Sequence, residues 1–161
     1  GVYKRHMLMQ PTQQTFWLIE TEAKPLQQII GGGFILPDGQ VAIARILPHS
    51  SYITFPSLAS FQQLQNQRGR TLVFGENSRD NYHLQSFKLV RDQDVTGISG
   101  TGIVAIGCYF QLFHQDISQN SANIAVMQWL KAPKSTAWYT QGCSQIILIH
   151  GHKGKTKIIV D

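Results

Sequence analysis

The chain has 161 residues, of which 42% are hydrophobic and 14% are charged, and its formal net charge is +5. This composition is that of a globular protein with fewer charges than the usual ~25%. No apolar stretch approaches the ~18 residues of a membrane-spanning helix, and no signal peptide precedes the first predicted strand. The two cysteines are too few for a disulfide framework. The sequence therefore favours a soluble, reduced, cytoplasmic protein without a membrane partner.

Residues 1–11 are interpreted as a flexible N-terminus that contains an expression remnant, because His6-Met7 is what a common cloning site encodes. Without Lys4 and Arg5, the net charge falls from +5 to +3. A charge of this size is only a weak indication of nucleic-acid binding.

The first half is predicted to contain five strands and one short helix. Asp38-Gly39 lies between two apolar runs, which is a strong signal for a hairpin turn. Ser57 is a plausible helix N-cap, and Leu58, Phe61 and Leu64 are spaced to share one helical face. The strands are predicted at residues 15–20, 33–36, 40–47, 51–55 and 71–74.

The second half is predicted to repeat this order after a polar linker at residues 76–85. Its second strand is long and apolar, and it is expected to form an extended arm with an exposed tip, so that an insertion lies near residues 109–122. Residues 143–149 are predicted as a helix, although their isoleucines also suit a strand. The strands are predicted at residues 86–91, 101–113, 122–130 and 136–140, with a last strand after the turn at 153–156.

Five blocks of similar sequence recur in one order, which predicts a tandem duplication rather than chance similarity between strands. Repeat 1 would span residues 12–75 and repeat 2 residues 86–161. We therefore predict a mostly antiparallel α+β fold in which two β-β-β-β-α-β units pack as a pseudo-dimer, either as two small barrels or as one continuous sheet. The blocks begin at Thr15 and Ser86, Gly31 and Gly100, Val41 and Ile124, Pro48 and Pro133, and Arg68 and Lys153.

The second repeat also resembles a known family in three places. These are residues 94–105 (Asp-Val-Thr-Gly-Ile-Ser-Gly-Thr-Gly-Ile-Val-Ala), Pro133 with Ser135-Thr136, and His150-Gly-His-Lys-Gly-Lys-Thr156. Over residues 87–160 the chain resembles a family of small, uncharacterised bacterial proteins about one repeat long. Family members carry a short Asp-Gly hairpin where this repeat has its insertion. The resemblance implies a shared small fold and brings no established activity or ligand.

A basic turn occurs in both repeats. Arg68 and Arg70 correspond to Lys153 and Lys155, and Lys157 follows. If the repeats pack about a pseudo-two-fold axis, the two turns could form a paired surface for phosphate groups. These five residues are the predicted nucleic-acid or phosphate site, and simple solvation of polar turns is the alternative interpretation.

The function that the sequence favours is a non-catalytic binding or assembly module that acts through protein–protein contacts. Duplicated strand units with exposed edges can pair with another protein or with a second copy. Apolar residues on a protruding arm are typical of a contact surface. The predicted contact residues are Tyr109, Phe110, Leu112 and Phe113.

Metal binding and catalysis are weakly supported. His150 and His152 have a ligand-like spacing, but no third ligand is identifiable, and a polar turn whose imidazoles form hydrogen bonds is the preferred interpretation. Gly154-Lys-Thr156 lacks the upstream glycine and the long helix of a phosphate-binding loop. No catalytic residue and no cofactor is predicted, and a metal-dependent or cysteine enzyme is the least favoured class.

Overall fold

The computed structural model describes residues 14–21, 28–92, 102–112 and 122–161. These ranges form two antiparallel sheets and two α-helices, which confirms the predicted α+β class with mostly antiparallel strands. The first half contains β1 (Thr15–Glu20), β2 (Gln28–Ile35), β3 (Val41–Arg45), β4 (Ser51–Phe55), α1 (Leu58–Gln67) and β5 (Arg70–Phe74). The second half contains β6 (Ser78–Arg79), β7 (Tyr82–Arg91), β8 (Gly102–Leu112), β9 (Ala122–Trp129), β10 (Thr136–Tyr139), α2 (Cys143–His150) and β11 (Thr156–Val160).

The two sheets have the same strand order. The first is β4-β3-β2-β1-β5, and the second is β10-β9-β8-β7-β11, with the short β6 paired beside β7. In each sheet four strands follow one another as antiparallel neighbours. The helix then returns the chain, so that the last strand pairs with the first strand of its sheet.

The local signals in the sequence form as predicted. Gly39 has a φ of 92°, which glycine adopts readily, and the Asp38 carboxylate accepts a hydrogen bond from the Gln40 backbone at 3.0 Å. Ser57 caps α1 by accepting a hydrogen bond from the backbone of Ser60 at 3.2 Å. Residues 143–149, whose isoleucines also suit a strand, belong to a helix, α2. This helix buries one side, at Ile146, against the second sheet.

Four layers stack in the order helix, sheet, sheet, helix. α1 buries Phe61 against Phe16 and Phe55 on the outer face of the first sheet. The inner faces of the two sheets meet in one shared apolar core, so the halves form neither two barrels nor one continuous sheet. This inter-sheet core includes Trp17, Ile19, Phe34, Leu36 and Ile46 from the first half and Leu84, Cys108, Phe110, Leu112 and Val126 from the second.

Corresponding strands of the two sheets face one another. β1 contacts β7, β2 contacts β8 and β3 contacts β9. The rings of Tyr52 on β4 and Trp138 on β10 lie 4.9 Å apart. Every strand from the first to the fourth in one sheet therefore packs on its counterpart.

A β-bulge interrupts the two central strand pairs at matching points. The register shifts after Leu18 in the β1–β2 pair and after Leu89 in the β7–β8 pair. The carbonyl of Ile30 accepts a hydrogen bond from Ile46, at 2.9 Å, and the carbonyl of Val104 accepts one from Leu130, at 3.0 Å. In both sheets the bulge directs a carbonyl toward the chain that leaves the third strand.

The predicted linker at residues 76–85 is partly wrong, because it contains β6 and the start of β7. Tyr82 and Leu84 alternate with polar residues and pack into the inter-sheet core, which extends β7 four residues further than its polar composition indicated. The predicted N-terminal remnant and most of the insertion, residues 113–121, lie outside the described residues. Among the described helices, none has the length and apolar character needed to span a membrane.

Candidate functional site

The residues of the two basic turns differ in exposure. Arg68 ends α1, and Lys153 and Lys155 lie around a single 3-10 turn, His152–Gly154; all three side chains face solvent. Lys157 is also exposed and approaches Asp92 at 4.0 Å, a contact that contributes little to stability at such a surface. Arg70 is different because it is half-buried in the first sheet.

The two turns lie at opposite ends of the sheet pair. The backbone N–H of Asp38 donates to Gln128 Oε1 at 3.0 Å. The turn between β2 and β3 in the first sheet therefore lies beside the end of the second sheet where β7 finishes at Arg91. Gly32 lies against Leu84 near the other end of β7. Facing strands thus run in opposite directions, which places the Arg68 turn and the Lys153 turn at opposite ends. The two turns therefore do not form the single paired basic surface that was expected.

The structure also corrects the prediction that the apolar residues of β8 lie on a protruding contact arm. Phe110 and Leu112 are completely buried in the inter-sheet core, and Tyr109 is half-buried on the opposite face of β8. Period-2 alternation sends every second residue of β8 into this core, so an arm with apolar residues on both faces is a central strand between two layers. Phe113 lies outside the described residues.

His150 takes part in a cluster of polar and aromatic side chains. Its Nε2 lies 3.0 Å from the Tyr139 hydroxyl, and its ring packs edge-on against Trp129 at 5.1 Å. Burial, and then the charges of Arg91 and His152, lower the pKa of His150, so its ring is neutral at pH 7. Within the described ranges, no three His, Cys, Asp or Glu side chains come together to hold a metal ion.

Arg91 is the charged centre of this cluster. The side chain is only 2% exposed, its Nε donates to Thr156 Oγ1 at 3.0 Å, and its guanidinium lies 5.9 Å from the centre of the Trp129 ring. Its Nη1 has no hydrogen-bond partner among the described residues. The sequence prediction missed Arg91 because it ends a strand and belongs to no motif.

The two cysteines are not activated nucleophiles. Burial raises the pKa of Cys108 well above its usual value and raises the pKa of Cys143 to about 11. A thiol with that pKa is about one part in a thousand thiolate at pH 8, and only the thiolate is nucleophilic.

We therefore expect slow reaction of native protein with Ellman's reagent at pH 8, followed by rapid release of two equivalents per chain in guanidinium. A Cys143→Ser variant separates the contributions of the two thiols. Native labelling of Cys143 as fast as in the unfolded chain would contradict this expectation and would support the cysteine-enzyme class.

An exposed apolar surface lies on α2 and the adjoining edge strand β11. Leu148 is 83% exposed, and Ile147, Ile149 and Val160 are about half exposed. We call these four residues the α2–β11 surface. The signal in the sequence was Ile146 to Ile149, since four consecutive apolar residues cannot all face one side of a short helix.

A pocket of about 370 Å³ opens at the end of the first sheet where β1 ends. In the strand register Glu20 lies opposite Gln28 of β2 and Arg70 of β5. Arg45 is the last residue of β3 and lies nearby. We call it the Glu20 pocket. No motif in the sequence marked this pocket, because its residues come from four separate strands and from the loop after β3.

Comparison with known proteins gives one result on part of the chain. A family described as Acb5 phage protein matches residues 84–161, slightly less than half of the sequence. This range coincides closely with residues 87–160, for which a family of small bacterial proteins was expected, and its description names a phage protein. No curated protein and no solved structure matches the chain.

Proposed function

We propose that the protein is a soluble, non-catalytic binding module that acts through protein–protein contacts, and that a second copy of the chain is its partner. The observation that carries this proposal is the exposure of Leu148 within the α2–β11 surface. α2 carries no Asp, Glu, Lys or Arg, so the chemistry that complements it is apolar. Fully burying a leucine or isoleucine side chain gives about 1.5–3 kcal/mol, which makes a matching apolar surface a favourable neighbour.

The position of β11 supports self-association in particular. It ends the second sheet, and its outer edge has no paired strand among the described residues. An open edge presents backbone N–H and C=O groups to a further strand. A two-fold contact would place β11 against β11 and α2 against α2, so that the same groups meet from both copies.

This proposal predicts a dimer in light-scattering measurements of molecular mass over a range of concentrations. Leu148→Lys is expected to shift the dissociation constant upward by at least tenfold, because two ammonium groups would then enter an apolar contact. Ile53→Lys is the matched control, since Ile53 is an equally apolar, 55% exposed residue on β4.

A monomeric wild-type mass at every concentration would exclude the second copy as the partner. An equal loss of association in both variants would instead indicate a general effect of added charge.

We also propose that the two halves are duplicated units packed as a pseudo-dimer. The shared strand order, the facing of corresponding strands and the matched bulges support this origin. So do two similar contacts: Phe16 lies over Gly33 in the first sheet, and Phe87 lies over Gly107 in the second. This correspondence replaces the sequence match of Gly31 with Gly100. Independent origins would not require the same residue pair at the same position of each sheet.

A second candidate function is nucleic-acid binding by the basic turn of the second half alone. Lys153, Lys155 and Lys157 are all exposed within five residues, whereas Arg68 lies at the opposite end. Binding of labelled DNA or RNA that weakens with salt would favour this candidate, provided that neutralising the three lysines abolishes it and neutralising Arg68 does not.

A further inference from the structure

We propose that the Glu20 pocket binds a small organic anion through its phosphate or carboxylate group. The ends of β1, β2, β3 and β5 meet there, and the turn that precedes β5 lies nearby. Glu20 ends β1, Arg45 ends β3 and Arg70 begins β5, while Arg68 lies in the preceding turn. The pocket is thus formed by groups that are brought together only by the sheet.

The charges around the pocket do not balance. Arg70 Nε lies 3.5 Å from Glu20 Oε2, and Arg70 Nη1 donates to Gln65 Oε1 at 3.3 Å. Glu20 therefore compensates one guanidinium, while those of Arg45 and Arg68 have no carboxylate within ion-pair distance among the described residues. Among the described residues around this end of the sheet there are three arginines and a single carboxylate, which is an excess of positive charge.

Arg45 has unused hydrogen-bonding capacity. Its Nη2 donates to the carbonyl of Leu47 at 2.9 Å, but its Nε is buried without a hydrogen-bond partner among the described residues. Burial, and then the charges of Arg70 and Arg68, lower the pKa of Arg45, while the charge of Glu20 raises it. The guanidinium remains protonated, because the ordinary pKa of arginine lies far above neutral pH. A buried donor without an acceptor is destabilising, and an oxyanion would supply that acceptor.

The shape of the pocket indicates more than a bare ion. Its volume is about 370 Å³, within the ~300–1,000 Å³ of ordinary small-molecule sites. Ile30, Leu47 and Pro48 form an apolar part of the wall, and Gln28 contributes an amide. An anionic group held by the guanidiniums could therefore carry an organic part that packs on this wall.

The corresponding end of the second sheet is built differently. Arg91 pairs with Thr156 across the edge, as Glu20 pairs with Arg70. There the guanidinium packs against Trp129 and is almost fully enclosed. In the first sheet, Arg45 ends β3 where Trp129 ends β9 in the second sheet. No aromatic ring therefore covers the guanidinium groups of Arg45 and Arg70, which line an open pocket.

The test is a titration of the full chain with inorganic phosphate and, separately, with acetate at low ionic strength, measured by calorimetry. We expect one saturable site per chain that weakens as salt is added. Arg45→Gln should weaken binding at least tenfold, and Lys134→Gln, which removes the same charge from an exposed loop, should leave it unchanged. Tighter binding of phosphate than of acetate would assign the site to phosphate compounds, and the reverse order to carboxylates.

Two further variants keep the proposal testable if Arg45→Gln fails to fold. Glu20→Gln removes the competing carboxylate, so anion binding should strengthen several-fold, which a purely structural role of this group would not produce. Arg45→Lys keeps the charge but loses the planar fork and should bind with intermediate affinity. The NMR signal of Arg45 Nε–H in the wild-type protein should move on addition of the bound anion.

Absence of saturable binding for both anions, or equal affinities in the wild type and in folded Arg45→Gln, would overturn the proposal. The site is independent of self-association, because it lies on the first sheet and the α2–β11 surface lies on the second half. Leu148→Lys should therefore bind the anion like the wild type, whatever its oligomeric state.

Discussion

Replacing Phe110 by alanine is expected to lower the free energy of unfolding by about 3–5 kcal/mol, the range measured for aromatic truncations in protein cores. Phe110 is completely buried between the sheets, and its ring stacks with that of Trp138 at 6.2 Å. The substitution removes a ring from the inter-sheet core, which both halves share. Urea unfolding followed by tryptophan fluorescence measures the loss.

Tyr109→Ala is the matched control, because Tyr109 is the next residue of the same strand and is only half-buried on the outer face. Its loss of stability should be clearly smaller. A Phe110→Ala protein that keeps its stability but changes its oligomeric mass would restore the interpretation of Phe110 as a contact residue on a protruding arm.

The sequence predicted those parts of the fold that depend on near neighbours. The Asp38-Gly39 turn, the Ser57 cap and the order of elements all rest on interactions within a few residues. The packing of the two sheets does not. β8 is apolar on both faces, and periodicity alone cannot distinguish a strand buried between two layers from an arm that buries one face and offers the other to a partner.

The candidate sites were less predictable for the same reason. Arg68, Arg70, Lys153 and Lys155 were recognisable as turn residues, but the distance between the two turns depends on how the sheets face each other. Glu20 and Arg45 meet Arg70 only through the pairing of β1 with β5 and of β2 with β3. Register across strands far apart in the chain is information that a single sequence does not display.

Gly33→Ala is expected to be strongly destabilising, although it adds only one methyl group to the first sheet. A Cβ at Gly33 would lie 2.1 Å from Cζ of Phe16 and within 2.7 Å of two further ring atoms. Phe16 is itself fully buried between Phe61 and Phe74, so the ring has little freedom to move. Overpacking of a core usually costs about 1–3 kcal/mol, and this contact places Gly33→Ala at or above the upper limit.

A double-mutant cycle tests the cause. In Gly33→Ala the obstructing atoms nearest to the new methyl group all belong to the Phe16 side chain, so Phe16→Leu should recover part of the loss, with a coupling energy of about 1–3 kcal/mol. Denaturant unfolding of the wild type, the two single variants and the double variant supplies the four free energies. Additive losses would show that the destabilisation comes from the backbone of β2 and not from the ring.

The second sheet provides the contrasting case for the same cycle. A Cβ at Gly107 would lie 2.6 Å from Cζ of Phe87, but also 2.2 Å from the backbone oxygen of Val126. Shortening Phe87 to leucine leaves that oxygen in place, because it belongs to the neighbouring strand β9. We therefore expect Phe87→Leu to give little or no rescue of Gly107→Ala. Equal rescue in both sheets would mean that β9 yields to the new methyl group, and that the two Phe–Gly contacts are equivalent in energy as well as in position.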